Sequence, residues 1–208
     1  AEKLQHCSAL VAAVSVPVNA DFENGYAEDL AQMVTNIKAV AATGVAGISI
    51  EDFSRDRHAI YPLAQATERV AAAVEAIAAT GMPILLTARA ESLLRGGDDP
   101  DEIIERLQAY ERAGADVLYA PAIRTLDTLQ HITAAIKRPF NALAPFIKGA
   151  TVSQLAAAGA TRISVGGALT YAALAPLLAA GREMQEQGTF HWLDGVASGA
   201  ELRQLMGF

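Results

Sequence analysis

Read for apolar and polar positions, the chain resolves into short apolar runs separated by longer segments of helical periodicity. The runs lie near residues 16–21 (VPVNAD), 46–51 (AGISIE), 83–89 (PILLTAR), 115–120 (ADVLYA), 139–144 (PFNALA) and 161–166 (TRISVG). Between them stand DLAQMVTNIKAVAAT, ATERVAAAVEAIAAT and DPDEIIERLQAYERAG, each with apolar residues three and four apart. One phrase recurs at helix ends: AATGVAG, AATGMP, RAGAD and AAGAT. It predicts a left-handed cap at Gly44, Gly81, Gly114 and Gly159, a conformation that glycine adopts without steric cost. Asp98 or Asp99 suits the N-cap before Pro100, and acids fill the first turn that follows.

Short strands alternating six times with helices predict a parallel sheet covered by helices. The choice is an open doubly wound sheet or a closed barrel. No Gly-x-Gly-x-x-Gly loop follows any strand, which disfavours the dinucleotide-binding alternative. The expected fold is therefore α/β, a TIM-type (β/α)8 barrel. Such a barrel has eight strands, and the chain opens in a helical pattern at residues 3–14, so the first two strands and a helix are expected to lie upstream of Ala1. Residues 1–208 then form one barrel domain, strands three to eight, with 189–208 as a tail.

Composition narrows the function. The 208 residues are 52% hydrophobic and 19% charged, with a formal net charge of −7. That suits a large core and argues against a nucleic-acid surface, which needs clustered Lys and Arg. No run of about 18 uncharged apolar residues predicts a membrane span, and no signal peptide is recognisable at the start. A single cysteine, Cys7, sits in a helical pattern as a buried thiol and fits a reducing, cytoplasmic setting.

The candidate chemistry lies at strand ends. Side chains alternate faces along a strand, so Asn19 shares a face with Asp21, Ser49 with Glu51, Thr87 with Arg89, and Asn141 and Ser164 come from later strands. Their apolar neighbours can pack on helices while these polar sets point inward and converge at the C-terminal rim, where barrel active sites sit. Asp21 and Glu51 come from consecutive strands roughly 5 Å apart. Two carboxylates that close require a proton or a cation between them. Oxygen ligands without His or Cys favour Mg²⁺ or Mn²⁺. Arg89 is shaped to hold a carboxylate or phosphate by two hydrogen bonds. The competing reading of the three is a structural salt-bridge cluster.

At these residues the chain resembles the isocitrate lyase/phosphoenolpyruvate mutase superfamily. NADFENGY resembles its Asp-Ala-Asp-Thr-Gly-Tyr metal motif, GISIED its Ile-Glu-Asp strand end, LTARAES its Ala-Arg-Thr-Asp/Glu segment, and RISVGGAL its last strand. The resemblance implies an eightfold barrel enzyme with Mg²⁺ at the C-terminal end, acting on small 2-oxo, 2-hydroxy or phosphonate acids through a metal-held enolate. It implies Asp21, Glu51 and Asn19 for the metal shell, with Asn19 standing where many members have a directly ligating Asp. It implies Arg89 for the substrate's oxyanions.

The loop DFSRDRHAIYPLAQ departs from the resemblance, since it lacks both the Lys-x-Cys-Gly-His motif of the carbon–carbon lyases and the Lys and Asn of the phosphonomutases. Arg55, Arg57 and His58 remain as lid candidates. His58 has the intrinsic pKa for proton transfer, against the plainer reading of a solvated loop histidine. The expectation is a Mg²⁺-dependent lyase cleaving or decarboxylating a small 2-oxo or 2-hydroxy acid, with Arg89 and His58 catalytic and Arg89, Asn141 and Ser164 binding substrate. Phosphonate P–C chemistry and a non-catalytic acid-binding barrel are the alternatives. The tail carries Phe190, Trp192, Leu202 and Leu205 and an amphipathic stretch at 200–206. The family exchanges a C-terminal helix between barrels, which implies a homodimer or homotetramer.

Overall fold

The structure is a computed structural model and describes residues 1–207. It divides into two compact units, one ending at Ser164 and one beginning at Val165.

The first unit opens with helix α1 (Glu2–Ala13), followed by β1 (Asn19–Asp21), α2 (Leu30–Ala41) and β2 (Gly47–Glu51). Two very short strands come next, β3 (Phe53–Ser54) and β4 (Ala59–Ile60), paired antiparallel. The loop read from sequence as a lid is therefore a small hairpin whose tip carries Arg55 to His58. The alternation then resumes with α3 (Leu63–Ala78), β5 (Leu85–Arg89), α4 (Pro100–Arg112), β6 (Val117–Tyr119), α5 (Leu126–Ala134), β7 (Phe140–Leu143), α6 (Val152–Ala157) and β8 (Arg162–Ser164).

Six strands form one sheet in the order β1-β2-β5-β6-β7-β8, every pair parallel. Each joins its next neighbour through a helix, as barrel strands do, and the curled sheet is the barrel-type α/β architecture that the alternation predicts. The strands are shorter than the apolar runs that announce them: β1 keeps only the last three residues of 16–21.

The register decides which side chains meet. Asp21 lies beside Ser49 and Ser49 beside Thr87. One step further along, Glu51, Arg89, Tyr119 and Asn141 form a row across four strands. The alternate positions Ile48, Ile50, Leu86, Ala88, Leu118, Phe140 and Ala142 are buried in one core with Met33 and Ile37 of α2, Val70 and Ala73 of α3, Leu107 and Tyr110 of α4, and Ile132 of α5. Cys7 of α1 joins this core as a buried thiol.

Local signals place the helices. Asp99 caps α4 by accepting from Asp101 N, with Pro100 at the first turn. Asp29 caps α2 and Thr151 with Gln154 forms a capping box on α6. Gly44, Gly81, Gly114 and Gly159 all have positive φ, between 68° and 101°, so the recurring glycine is the left-handed residue that turns each helix back toward a strand.

The second unit contains α7 (Ala168–Glu186), a 3-10 turn at His191–Gly195 and α8 (Gly199–Met206), which Ser198 caps. Many of its large apolar side chains are exposed, among them Leu169, Tyr171, Leu177, Leu178, Phe190 and Leu205. Among the described residues no helix is long and apolar enough to cross a membrane.

Candidate active site

Beyond the C-terminal ends of β1, β2 and β5 lies a cleft of about 520 Å³, lined by Asp21, Glu23, Glu51, Phe53, Arg55, His58, Arg89 and Arg95. Its centre is Arg89, the last residue of β5. Register sets the Arg89 guanidinium beside Glu51, with Nη2 3.5 Å from Glu51 Oε2, while Nη1 donates to Asp21 Oδ2 at 3.2 Å. Nε donates to Glu91 Oε1. The ring of Tyr119 lies beneath it, 5.4 Å from the guanidinium carbon to the ring centroid. Burial alone would make this arginine easier to deprotonate, but Glu91, Glu51 and Asp21 hold it firmly charged.

The carboxylates are not equivalent. Asp21 is 60% exposed at its side chain and opens toward the cleft; Ser49 Oγ and the Glu23 N–H each reach its Oδ1 at 3.3 Å. Glu51 is only 5% exposed. Burial above all, with Glu91 and Asp21 beside it, outweighs the pull of Arg89 and raises its carboxyl to about 7. Glu91 is fully buried beside Arg89 and Arg95. Three carboxylates thus converge on two guanidiniums.

A second polar layer supports this one. Asp52, directly after β2, is buried and accepts the Glu91 N–H at 2.8 Å, the Tyr110 hydroxyl at 2.6 Å and Arg106 Nη1 at 3.3 Å. It ties the end of β2 to the residues following β5, and so fixes Glu91 against Arg89. Glu28 plays a similar part for the hairpin: its Oε1 accepts from Asn24 Nδ2, Ser54 Oγ and Tyr61 OH at 2.8–3.1 Å. Arg69, 2% exposed, donates to the carbonyls of Asn24, Ala27 and Glu28. The loop after β1 and the hairpin after β2 are held together by these contacts, and Arg55 pairs with Glu23 across them.

Of the residues expected from sequence, Asp21, Glu51, Arg89 and His58 share the cleft. His58 is exposed at the hairpin tip with φ of 50°, a left-handed conformation that is uncommon for a non-glycine residue. Asn19 lies two residues earlier on β1, beside Gly47; a Cβ on Gly47 would stand 2.5 Å from Asn19 Oδ1, so the glycine makes room for the amide. Asn141 is buried, donates from Nδ2 to Ser164 Oγ at 2.9 Å, and keeps Oδ1 without a partner. These last three do not line the cleft.

Sequence reading gave no role to Glu91 and Arg95. Glu91 was within reach, since 87, 89 and 91 alternate onto one face of an extended segment. Arg95 carries no such signal, because it stands on a 3-10 turn, Ser92–Arg95, that no periodicity announced.

A parallel α/β barrel-type sheet with convergent acids and an arginine at its C-terminal end defines a class of small-molecule sites. The comparisons narrow the class: the sequence profile of the phosphoenolpyruvate phosphomutase family matches residues 1–185, and the chain belongs to that family. It is 30% identical over 201 residues to an oxaloacetate decarboxylase of Rhodopseudomonas palustris strain BisA53, covering 94% of this chain and 64% of that protein. It is 41% identical, with a TM-score of 0.91, to a crystal structure from Burkholderia cenocepacia J2315 provisionally described as a lyase/mutase, covering all of this chain and 75% of that one. Phosphonopyruvate hydrolase in complex with oxalate and Mg²⁺ shares the fold at 23% identity and a TM-score of 0.80, over 98% of this chain and 73% of that one.

Proposed function

We propose that the protein is a Mg²⁺- or Mn²⁺-dependent lyase that cleaves or decarboxylates a small 2-oxo or 2-hydroxy carboxylic acid. The observation that carries this is Arg89, fixed at the end of β5 with Asp21 and Glu51 beside it in one cleft. Family membership and the resemblance to an oxaloacetate decarboxylase support the same chemistry.

The donor set fits a hard dication. Asp21 offers an exposed carboxylate, and Glu51 sits where burial penalises its charge, a penalty that a neighbouring cation relieves. Among the described residues no three of His, Cys, Asp and Glu gather as a ready ligand shell, so an ion held here would need water or substrate oxygens as well. Asp21 and Glu51 would hold the ion, and Asn19, two residues back on β1 and outside the cleft lining, would act on it from a distance. When bound, the cation supplies Lewis-acid polarisation of the substrate's 2-oxygen.

The chain's own residues do the rest. Arg89 binds the substrate carboxylate and faces the negative charge that develops as the carbon–carbon bond breaks, an electrostatic stabilisation made stronger by the buried setting. Glu91 and Tyr119 keep its guanidinium in place. Asn141 and Ser164 do not line the cleft, and a role for them in substrate binding would rest on Asn141 Oδ1, a buried acceptor without a partner. His58, at the mouth of the cleft, transfers the proton that the product carbanion needs. A screen of small diacids for Mg²⁺-dependent release of a 2-oxo acid tests the proposal; no release with any of them, with or without the ion, overturns it. P–C bond chemistry is the second reading, favoured by the description of the matching family; release of phosphate from a phosphonate acid, with water supplying the added oxygen and proton, would select it.

The protein is further proposed to act in the cytoplasm as a homodimer or homotetramer held through residues 189–208. Phe190, Leu202 and Leu205 are exposed in the second unit, and burying each against another subunit would contribute roughly 1.5–3 kcal/mol. A variant ending at Gly188 should have the mass of a monomer in light scattering, and an unchanged mass would contradict the assignment.

A further inference from the structure

Arg95 is unlike the other arginines around the cleft. Its guanidinium carbon lies over the Phe53 ring, 3.7 Å from the centroid, and the side chain forms part of the cleft wall at 38% exposure. Nη2 stands 3.0 Å from Glu91 Oε2 and 3.9 Å from Glu51 Oε1. Yet Glu91 Oε2, although buried, receives no hydrogen bond. The proximity is charge against charge, with the N–H fork not aimed at the carboxylate. Among the described residues no side-chain hydrogen bond from Arg95 is made at all, while Arg89, Arg69 and Arg106 each make at least two. A guanidinium has five donors in a planar fork that matches a carboxylate or phosphonate. Here the Phe53 ring and the two acids hold the guanidinium in position, and the donors are left for a solute.

We propose that Arg95 is a specificity-determining residue that binds the second anionic group of the substrate, while Arg89 binds the carboxylate next to the reacting carbon. The proposal rests on the small-acid chemistry assigned above and deepens it. It states that the cleft selects acids charged at both ends over those charged at one. The required chemistry is an oxyanion with at least two acceptor oxygens, which a carboxylate and a phosphonate both supply.

The test uses the full chain with three probes that share one hydroxy-acid end. Malate and 3-phosphonolactate are lactate with a carboxylate or a phosphonate added on its methyl carbon. Titration calorimetry with Mg²⁺ present should show wild type binding malate or phosphonolactate at least tenfold more tightly than lactate. Arg95→Gln should lose that preference, with lactate affinity changed less than twofold, and Arg95→Lys should restore only part of it. The probe that shows the larger loss identifies which oxyanion Arg95 takes. Equal losses for all three probes would make Arg95 a structural residue and overturn the proposal, as would an undiminished preference in Arg95→Gln. If wild type binds malate and lactate equally well, the inference about Arg95 falls while the acid-binding cleft stands. If it binds none of the three, both fall together.

Discussion

Two polar regions lie within a few residues of each other in this fold, and they are built differently. Behind the cleft, Asp52 and Arg69 are almost wholly buried, and most of their contacts are short: 2.6 Å to Tyr110 and 2.8 Å from the Glu91 N–H for Asp52, 2.6–2.9 Å to three carbonyls for Arg69. In the cleft, Asp21 is mostly exposed and its three contacts all run 3.2–3.3 Å, while Glu51 meets Arg89 only at 3.5 Å. The first region is closed to solvent and spends its hydrogen bonds within the protein, on backbone carbonyls for Arg69 and on Tyr110, Arg106 and the Glu91 N–H for Asp52, although Arg69 Nε goes unpaired. The second leaves charge and donors incompletely used, which is what a site needs if a solute is to compete for them. Charged clusters in one protein can therefore be sorted into architecture and chemistry by how deeply they are buried and how closely their partners approach.

That distinction predicts a large difference in stability. Asp52→Ala leaves the Tyr110 hydroxyl, Arg106 and the Glu91 N–H without their shared acceptor, and breaking such a buried pair costs about 3–5 kcal/mol. Asp21→Ala removes a mostly exposed partner and should cost under about 1 kcal/mol. Urea unfolding of both variants checks this, and similar losses would erase the contrast.

Glu51 gives the next largest effect and ties stability to pH. Its folded carboxyl is raised to about 7, chiefly by burial. The native state therefore holds a proton that the unfolded chain has released, and stability falls as pH climbs from the usual carboxylate range to about 7. Each pKa unit corresponds to about 1.4 kcal/mol, so the penalty above that range is on the order of 3 kcal/mol. Glu51→Gln should remove this pH dependence: thermal unfolding without divalent ions should show the variant gaining on wild type between about pH 5 and pH 8. Parallel profiles for the two proteins would contradict the assignment of Glu51 as the strained carboxylate of the cleft.

The same contrast explains what could be read from the chain. Strand–helix alternation, the left-handed glycines at 44, 81, 114 and 159, and the cap at Asp99 are local, so pattern alone placed them. Asp21, Glu51 and Arg89 were legible because the two-residue period of a strand puts them at strand ends on one face, and parallel register does the rest. The supporting layer was not legible. Asp52 meets Tyr110 across 58 positions and Arg69 meets Asn24 across 45, and no local pattern encodes such a pairing. Arg95 was missed because its task depends on the Phe53 ring from a hairpin whose strands are two residues long. The exposed apolar face of α7 and α8 was only half legible: the pattern gives the helices, but an amphipathic face does not say what covers it.

A smaller effect concerns Asn19. An aspartate there adds a negative charge beside Gly47, on the face that Asn19 shares with Asp21, and should tighten Mg²⁺ binding by roughly tenfold, about 1.4 kcal/mol. Unchanged affinity in Asn19→Asp would remove this position from the metal's surroundings.

The central claim is that Asp21, Glu51 and Arg89 form a cation and small-acid site. Its most direct test is calorimetric titration of Mg²⁺ into the full chain and into Asp21→Ala, at matched pH and with malate present. The account predicts saturable binding by the wild type and a loss of at least tenfold, about 1.4 kcal/mol or more, in the variant. Equal binding by the two proteins, or none by the wild type, would contradict it.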